Sequence, residues 1–399
     1  GTSDSPYLLS TVDDFVSMSD HYASGASSAC WSADFRMVAD VDLSTISWVP
    51  IGSDQAYSIN RGFAGTFDGD GHTIKGLTIE LGNEQDLAFF SELDGTLKNV
   101  TFQDAVVSAN DDAAVAVAFL EGSLVNVNAT GATVHSNGNA GGLVATSQAG
   151  RLENVAFAGF VDASSGDAGG LAAVAANGTD VVGGLVDGDV RGTANVGGAV
   201  GNFTGTSITD VRIQGRVEGQ TTDSGEGTGG LVGRVSGGGV STIQDVLVEA
   251  DVEGATNVGG VLGNVRGGTS ALVVRGVQVL ADVDGTQYVG GVVGTMFDGT
   301  VRDAAVGGSV SGDSAGGFTG YTNLDGLMVL ERGVLHAAMD ATQSTVGAVI
   351  GDVLGGNPVI VSSTFVDLSA SGVGSAMGSS DQVNGFDAVS TTEAQTLAT

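Results

Sequence analysis

The stretch "VGGVLGNVRGG", residues 258–268, places two adjacent glycines inside an apolar, strand-like run. Glycine is about 0.5–1 kcal/mol less favourable than alanine at such positions. Near-copies recur as "AGGLVATSQAG" from Ala140, "VGGAVGNFTG" from Val196, "TGGLVGRVSGG" from Thr228 and "VGGVVGTMFDG" from Val289. A feature that is locally unfavourable and yet recurs must be required by something outside its own segment.

The glycine pairs mark an internal repeat. The first glycine of each pair, or its equivalent, falls about every 30 residues, and such a period is typical of solenoid or propeller architectures. The positions are Gly141, Gly169, Gly197, Gly229, Gly259, Gly290, Gly316 and Gly347, and Ala113 and Leu87 extend the series towards the N-terminus.

A second pattern follows each pair, with apolar or small residues at offsets 0, +3, +5, +7 and +9. Steps of two indicate strands with one side facing inward, and the single step of three indicates a corner. The clearest sets are Leu152, Val155, Phe157, Gly159, Val161; Ile208, Val211, Ile213, Gly215, Val217; Ile243, Val246, Val248, Ala250, Val252; and Val274, Val277, Val279, Ala281, Val283. An earlier set is Leu97, Val100, Phe102, Asp104 and Val106, in which Asp104 breaks the rule.

Each repeat therefore reads as two or three short strands with no helix between them. One such unit cannot bury its apolar side alone, but units stacked about 4.8 Å apart enclose a continuous column of aliphatic side chains. The sequence predicts an all-β parallel β-helix (solenoid) of about a dozen coils, in which the glycine pairs allow bends and close approach of neighbouring coils. Stacked in one column, these coils would form a rod about 50–60 Å long.

The ends of the chain depart from the repeat. Thr11 and Asp14 match a helix N-cap and its reciprocal partner, with Phe15 and Met18 on one face, so a short capping helix is predicted there. A second helix candidate contains Ser390 and Glu393, and the pattern blurs after Gly316 and after Gly347. The predicted organisation is a cap over residues 1–60, repeats over 61–370, and a cap or linker over 371–399.

Composition excludes several classes of function. The chain of 399 residues carries 46 acidic and 13 basic residues, a net charge of −33. Such a surface repels nucleic acid, anionic lipid and acidic polysaccharide. No apolar run is long enough to cross a bilayer, so no membrane insertion is expected. Acidic, lysine-poor composition is typical of proteins in salty water, which indicates a halophilic or marine source.

Three quoted segments carry a resemblance to a known family. "VDLSTISWVPIGS" from Val41, "FAGTFDGDGHTIKGLTI" from Phe63 and the "GGLVG"-like blocks resemble bacterial surface proteins with the GLUG motif, over nearly the whole chain. The resemblance implies a right-handed, single-stranded parallel β-helix on a secreted or surface polypeptide. Such proteins include adhesins and the leading regions of IgA-cleaving metallopeptidases. It supplies no shared catalytic residues.

Candidate chemical groups have simpler structural interpretations. His72, beside Asp68 and Asp70, is interpreted as part of a tight turn with Gly69 and Gly71. The remaining histidines, at 21, 135 and 336, are isolated, so no zinc site is predicted. Cys30 is read as a small buried side chain, and Trp31, Trp48 and Tyr57 as packing of the cap. Tyr288 and Tyr321 stand next to glycine pairs and could be exposed.

No catalytic or cofactor-binding residue is assigned from the sequence. The ligands of a metal stay unknown, with calcium in aspartate-rich turns kept as a low-ranked alternative. Arg212 and Arg216 are expected on an outward face, solvated or paired with acids. The leading hypothesis is a non-enzymatic extracellular module that acts in adhesion or as a rigid spacer. Its partner would be an unknown glycan or protein ligand, or neighbouring copies of itself. The alternatives are a polysaccharide-active β-helix enzyme and a self-assembling filament subunit.

Overall fold

The computed structural model describes residues 1–23, 31–52, 62–80, 86–237, 241–266, 272–323, 327–354, 359–372 and 386–389. The chain separates into two compact units, Gly1–Gly188 and Asp189–Thr399. Each unit is a parallel β-solenoid, and the described ranges comprise about 11 turns. The predicted all-β solenoid is confirmed. The predicted division at residues 60 and 370 stays a prediction.

The described residues of the first unit form one helix and the strands up to the middle of β18. The helix is α1 (Val12–Ala23), and the strands are β1 (Tyr7–Leu9), β2 (Phe35–Met37), β3 (Val41–Asp42), β4 (Thr66–Asp68), β5 (Thr73–Lys75), β6 (Thr78–Glu80), β7 (Phe90–Leu93), β8 (Thr96–Gln103), β9 (Val106–Ala109), β10 (Ala113–Ala114), β11 (Val117–Leu120), β12 (Ser123–Ser136), β13 (Ala140–Gly141), β14 (Val144–Gln148), β15 (Arg151–Ala163), β16 (Ala168–Gly169), β17 (Ala172–Ala176) and β18 (Asp180–Gly192).

The second unit continues the same pattern. Its strands are β19 (Val196–Gly197), β20 (Val200–Phe203), β21 (Ser207–Gly219), β22 (Thr228–Gly229), β23 (Val232–Val235), β24 (Thr242–Val248), β25 (Asp251–Gly259), β26 (Leu262–Val265), β27 (Val273–Gly290), β28 (Val293–Met296), β29 (Gly299–Gly316), β30 (Thr319–Asn323), β31 (Met328–Gly347), β32 (Ile350–Leu354), β33 (Val359–Ser362), β34 (Thr364–Asp367) and β35 (Phe386–Val389), with a short helix α2 (Leu368–Ser371).

Strands of successive turns pair in parallel and in register. In the first unit β7, β11, β14 and β17 form one short-strand sheet. In the second unit β20, β23, β26, β28, β30 and β32 do the same. The predicted inward positions meet their equivalents, for example Val246 with Val277 and Val248 with Val279. These side chains are almost completely buried, so the aliphatic columns form the cores of the two units.

The glycine pairs are explained by two close approaches. A Cβ on Gly259 would lie under 3.0 Å from the carbonyl oxygen of Leu262, across the bend within the same turn. A Cβ on Gly260 would lie equally close to the carbonyl oxygen of Gly291 in the next turn. The first glycine therefore permits the bend, and the second permits stacking of adjacent turns.

The predicted corner lies at the step of three. The residue at offset +2 adopts a left-handed conformation, with φ of 53° at Asn99, 55° at Asn126 and 52° at Asn154 in the first unit. Asparagine tolerates this conformation better than most residues. Asn126 Nδ2 also donates to Asn99 Oδ1 at 2.9 Å, so neighbouring corners are joined by side chains.

The prediction for Val106 is wrong. Val106 is exposed, and Ala105 and Val107 are buried in its place. Asp104, the residue that broke the rule, has a φ of 53° and adds one residue at this bend. β12, in the next turn, carries the same extra residue. β15 lacks it, so the register between β12 and β15 shifts between Thr130 and Ala132.

The blurred pattern after Gly316 conceals a regular turn. β31 pairs in register with β29 from Met328 to Ala341, and Leu330, Leu335 and Ala337 are buried. The offset +3 position is Gly333, where an added Cβ would touch the ring of Phe318. The aromatic ring of Phe318, which lies in the bend between β29 and β30, thus fills the space that a valine fills elsewhere.

The predicted N-terminal helix is confirmed. The Thr11 backbone N–H donates to Asp14 Oδ2 at 2.9 Å, and the Asp14 N–H donates to Thr11 Oγ1 at 3.2 Å. Hydrogen bonds from Ser10 and Thr11 lower the pKa of the Asp14 carboxyl. Phe15 is buried, with ring centroids 6.2 Å from Trp48 and 6.1 Å from Phe67, so the helix packs on the core of the first turns.

Candidate functional site

The turn around His72 is confirmed. Asp70 and Gly71 have φ of 50° and 85°, and the Asp70 N–H donates to Asp68 Oδ1 at 3.0 Å. Asp68 also accepts from Asn99 and lies 3.3 Å from Lys98 Nζ, while His72 Nδ1 lies 3.1 Å from Asp40. These contacts hold the side chains to the adjoining turns rather than directing them to one point.

The other histidines are spread along the chain. His135 lies 2.9 Å from Asp162, and His336 lies 2.8 Å from Asp367, whose carboxylate is buried. His21 contacts the Tyr22 ring. In the described ranges no group of three or more His, Cys, Asp or Glu residues could hold a metal ion. Cys30, Tyr57, Ser390 and Glu393 lie outside the described residues.

Basic residues on the second unit mostly pair with acids of neighbouring turns, as expected for Arg212 and Arg216. Arg212 lies 2.6 Å from Glu249, Arg216 pairs with Glu253, and Arg302 lies 3.0 Å from Glu331. All three arginine side chains are about half exposed, so solvent screens each pair and it contributes little to stability. Their geometry ties one turn to the next.

An acidic column runs along one corner of the first unit. Each of its residues directly precedes a position that pairs with its equivalent in the next turn. They are Asp86 before Leu87, Asp112 before Ala113, Asn139 before Ala140 and Asp167 before Ala168. The Asn139 N–H donates to Asp112 Oδ1 at 3.1 Å, and the Asp167 N–H donates to Asn139 Oδ1 at 2.9 Å. Burial raises the pKa of Asp112, and burial followed by repulsion from Asp112 raises the pKa of Asp86.

A second group of carboxylates, the Glu92 cluster, comprises Glu92, Asp94 and Glu121. Glu92 lies in β7, Asp94 follows it, and Glu121 follows the neighbouring strand β11, which pairs with β7 in register. Burial, then the negative charges of Asp94 and Glu121, raise the pKa of Glu92. Burial, then Glu121, raises the pKa of Asp94. Sequence analysis missed this cluster, because the signal is the repeat register that aligns residue 94 with residue 121.

A third feature, the Arg234–Tyr321 row, lies on the short-strand sheet of the second unit. Its residues occupy equivalent positions in β20, β23, β26, β28 and β30, and they are Asn202, Arg234, Asn264, Thr295 and Tyr321. The Tyr321 and Tyr288 rings contact each other with centroids 4.5 Å apart and planes tilted by 36°, and both residues are partly exposed. Thr295 Oγ1 donates to Asn257 Oδ1 at 2.5 Å.

A loop of the second unit is fixed close to this row. Asn264 Nδ2 donates to the carbonyl oxygens of Ser224 and Glu226 at 3.1 and 3.2 Å. Asn257 Nδ2 donates to the same two oxygens at 3.2 and 2.7 Å. The buried Asn264 thus has its amide nitrogen satisfied, while its Oδ1 has no partner among the described residues.

No family profile matches the chain. A stretch of 159 residues is 35% identical to part of halomucin from Haloquadratum walsbyi. This match covers 37% of the present chain and 2% of halomucin. The chain therefore spans a small fraction of that relative. No helix in the described ranges is long and apolar enough to span a bilayer.

Two solved structures match the chain at low sequence identity. A candidate immunoglobulin A1 protease from Bacteroides ovatus has a TM-score of 0.47 and 21% identity, covering 71% of this chain and 76% of that chain. An IgA1 protease has a TM-score of 0.34 and 12% identity, covering 98% of this chain and 24% of that chain. The parallel β-solenoid described above is the fold that the GLUG-motif resemblance implied.

Proposed function

We propose that this chain is a non-enzymatic β-solenoid module of a secreted or surface protein, acting in adhesion or as a rigid spacer. The observation that carries the proposal is the in-register pairing of successive turns in each unit. β29 and β31, for example, pair in register from Gly299 with Met328 to Gly312 with Ala341. A long continuous ladder is a stiff element, because bending it requires many backbone hydrogen bonds to change together.

One comparison supports an exported location, and the composition supports a salty environment. The similarity to a stretch of halomucin favours a secreted or surface polypeptide. The net charge of −33 favours a protein that stays soluble where salt screens its self-repulsion.

Pulling the purified chain from its two ends in optical tweezers tests the spacer role. One turn contains about 30 residues, so its release should lengthen the chain by about 100 Å, at roughly 3.5 Å per residue. We expect a series of such steps, or small multiples of them, because each turn is held mainly by its neighbours. Featureless extension at low force would contradict a rigid module.

The Glu92 cluster favours a second candidate, a polysaccharide-active enzyme. Glycoside hydrolysis uses one carboxyl that stays protonated and one that is ionised, and carboxylates with raised pKa values are suited to the first role. Release of reducing sugar from a neutral polysaccharide, abolished in Glu92→Gln and Asp94→Asn, would establish this function. Equal rates in these variants and the wild type would reject the cluster as the catalytic site.

A further inference from the structure

The two tyrosines of the repeats, Tyr288 and Tyr321, are in contact with each other. The chain has five tyrosines, and the other three lie within the first 57 residues. Tyr288 lies in β27 and Tyr321 in β30, which belong to successive turns of the second unit. Their ring centroids are 4.5 Å apart and both residues are partly exposed, so the pair forms a surface contact between two turns.

The same two positions are also linked one turn earlier. There the residue equivalent to Tyr288 is Asn257, and the residue equivalent to Tyr321 is Thr295. Thr295 Oγ1 donates to Asn257 Oδ1 at 2.5 Å, and both of these residues are buried. Contact between two partly exposed phenol rings therefore replaces a buried hydrogen bond as the link between turns.

Tyr288 holds its position at a cost in backbone energy. Its φ is 59°, a left-handed conformation that suits asparagine, as at Asn257 with a φ of 51°, but is unfavourable for a bulky side chain. Such strained residues are concentrated at functional positions. The strain points to a use for the phenol that asparagine does not provide.

Two phenols in contact at a surface can be joined by oxidation. Each phenol gives one electron to a one-electron oxidant and its hydroxyl proton to solvent, which leaves a phenoxyl radical. The two radicals couple through ring carbons ortho to the oxygens, and the hydrogens on those carbons move to the oxygens through solvent, which restores both phenols. With hydrogen peroxide as the final oxidant, one peroxide takes up the two electrons and two protons and leaves as two water molecules.

We propose that Tyr288 and Tyr321 form a site of oxidative cross-linking, at which a peroxidase-type one-electron oxidant generates a dityrosine. The new carbon–carbon bond fastens two successive turns of the second unit. It restricts the unfolded chain as a disulfide does, in a chain whose one cysteine excludes an internal disulfide. This inference goes beyond the proposed function, because the chemistry needs only the two rings and the oxidant.

Photo-oxidation of the full chain with tris(bipyridyl)ruthenium(II) and persulfate tests the site. We expect a monomeric product that is lighter by two hydrogen atoms, has dityrosine fluorescence and yields a joined peptide containing residues 288 and 321. Tyr288→Phe and Tyr321→Phe keep the ring but remove the phenol oxygen, so each should fold normally and lower the yield of this product tenfold or more. Tyr7→Phe is the matched control and should leave the yield unchanged, because Tyr7 is exposed and its ring neighbour is Phe35, at 5.4 Å.

Thermal scans separate the cross-link from packing of the rings. Oxidation should raise the Tm of the wild type and leave that of Tyr321→Phe unchanged, and an equal change of Tm in both proteins would overturn the proposal. It would also be overturned by absence of the monomeric product, by an undiminished yield in either phenylalanine variant, or by coupling only between molecules, seen as dimers whose yield rises with protein concentration. These results leave the spacer role standing, whereas featureless extension under force would remove that role without affecting the cross-link.

Discussion

At the residue scale, side chains that tolerate the left-handed backbone hold the corners of the first unit. Asn99, Asn126 and Asn154 share this conformation, and the hydrogen bond from Asn126 to Asn99 joins two turns. A corner residue therefore supplies a backbone conformation and a link between turns at once. The sequence marks these positions only as the polar residue within a step of three, so the corner could be predicted and the amide link could not.

Asn126→Ala should destabilise the protein by about 2 kcal/mol. Alanine in a left-handed conformation costs about 1–2 kcal/mol, and loss of the link to Asn99 adds to this. Asn126→Gly removes only the link and should cost less than alanine. Urea unfolding of the three proteins measures the difference. A glycine variant less stable than the alanine variant would show that backbone conformation does not control this corner.

Asp112 carries a penalty that depends on pH. Its pKa is raised in the folded state by burial, so the native carboxyl binds its proton more tightly than the unfolded one. The free energy of unfolding should therefore fall as pH rises from about 4 through the raised pKa of Asp112. It should recover when the pH returns to about 4. Asp112→Asn should raise Tm at pH 7 and lose this advantage at pH 3, as thermal scans across that range would measure. An advantage that persists at pH 3 would argue against a charge effect.

At the scale of the strand and turn, contact between adjacent backbones decides which residues are allowed. The repeat period, the inward columns and the glycine bends could all be predicted, because they follow from alternation and glycine placement. The shift that buries Val107 instead of Val106 could not, because one extra residue at Asp104 is invisible in a pattern of fixed offsets. The contact of Phe318 with Gly333 could not be predicted for a related reason, since Phe318 lies in the bend between β29 and β30, outside the strand pattern.

Gly260→Ala should destabilise the protein by about 3 kcal/mol or prevent folding. The new methyl group would meet the carbonyl oxygen of Gly291 in the next turn, where the backbone has no room to move. Gly307→Ala is the matched control. Its Cβ would have the Leu280 side chain as its nearest neighbour, at 3.5 Å, so it should change stability by less than about 0.5 kcal/mol. Equal losses in the two variants would refute the close-approach explanation.

The candidate sites also depend on this scale. Glu121 and Asp94, or Arg234 and Asn264, are far apart in sequence and meet only because neighbouring strands keep register. No local motif reports such neighbours. An alignment of the repeats would have identified the residues of the row from Asn202 to Tyr321. The lack of a hydrogen-bond partner for Arg234 Nε could be seen only from the positions of the side chains.

At the scale of the whole chain, negative charge opposes compactness. With 46 acidic and 13 basic residues, most carboxylates have no cation to offset them. Salt shortens the screening length to about 3 Å at 1 M, which weakens this self-repulsion. Tm should therefore be higher in 1 M than in 0.05 M sodium chloride, and potassium chloride should have the same effect. A Tm that stays constant or falls would show that repulsion does not limit stability.

The central claim is that successive turns stack in register and bury one another's aliphatic side chains. Disulfide trapping tests it directly in a Cys30→Ser background. Gln244→Cys with Arg275→Cys joins register partners on neighbouring strands, and Gln244→Cys with Gln278→Cys is displaced by three residues. Adjacent parallel strands lie close enough for a disulfide, whereas the displaced pair does not. The stacked solenoid predicts rapid, near-complete oxidation of the first pair and none of the second, and the reverse result, or equal oxidation of both pairs, would contradict it.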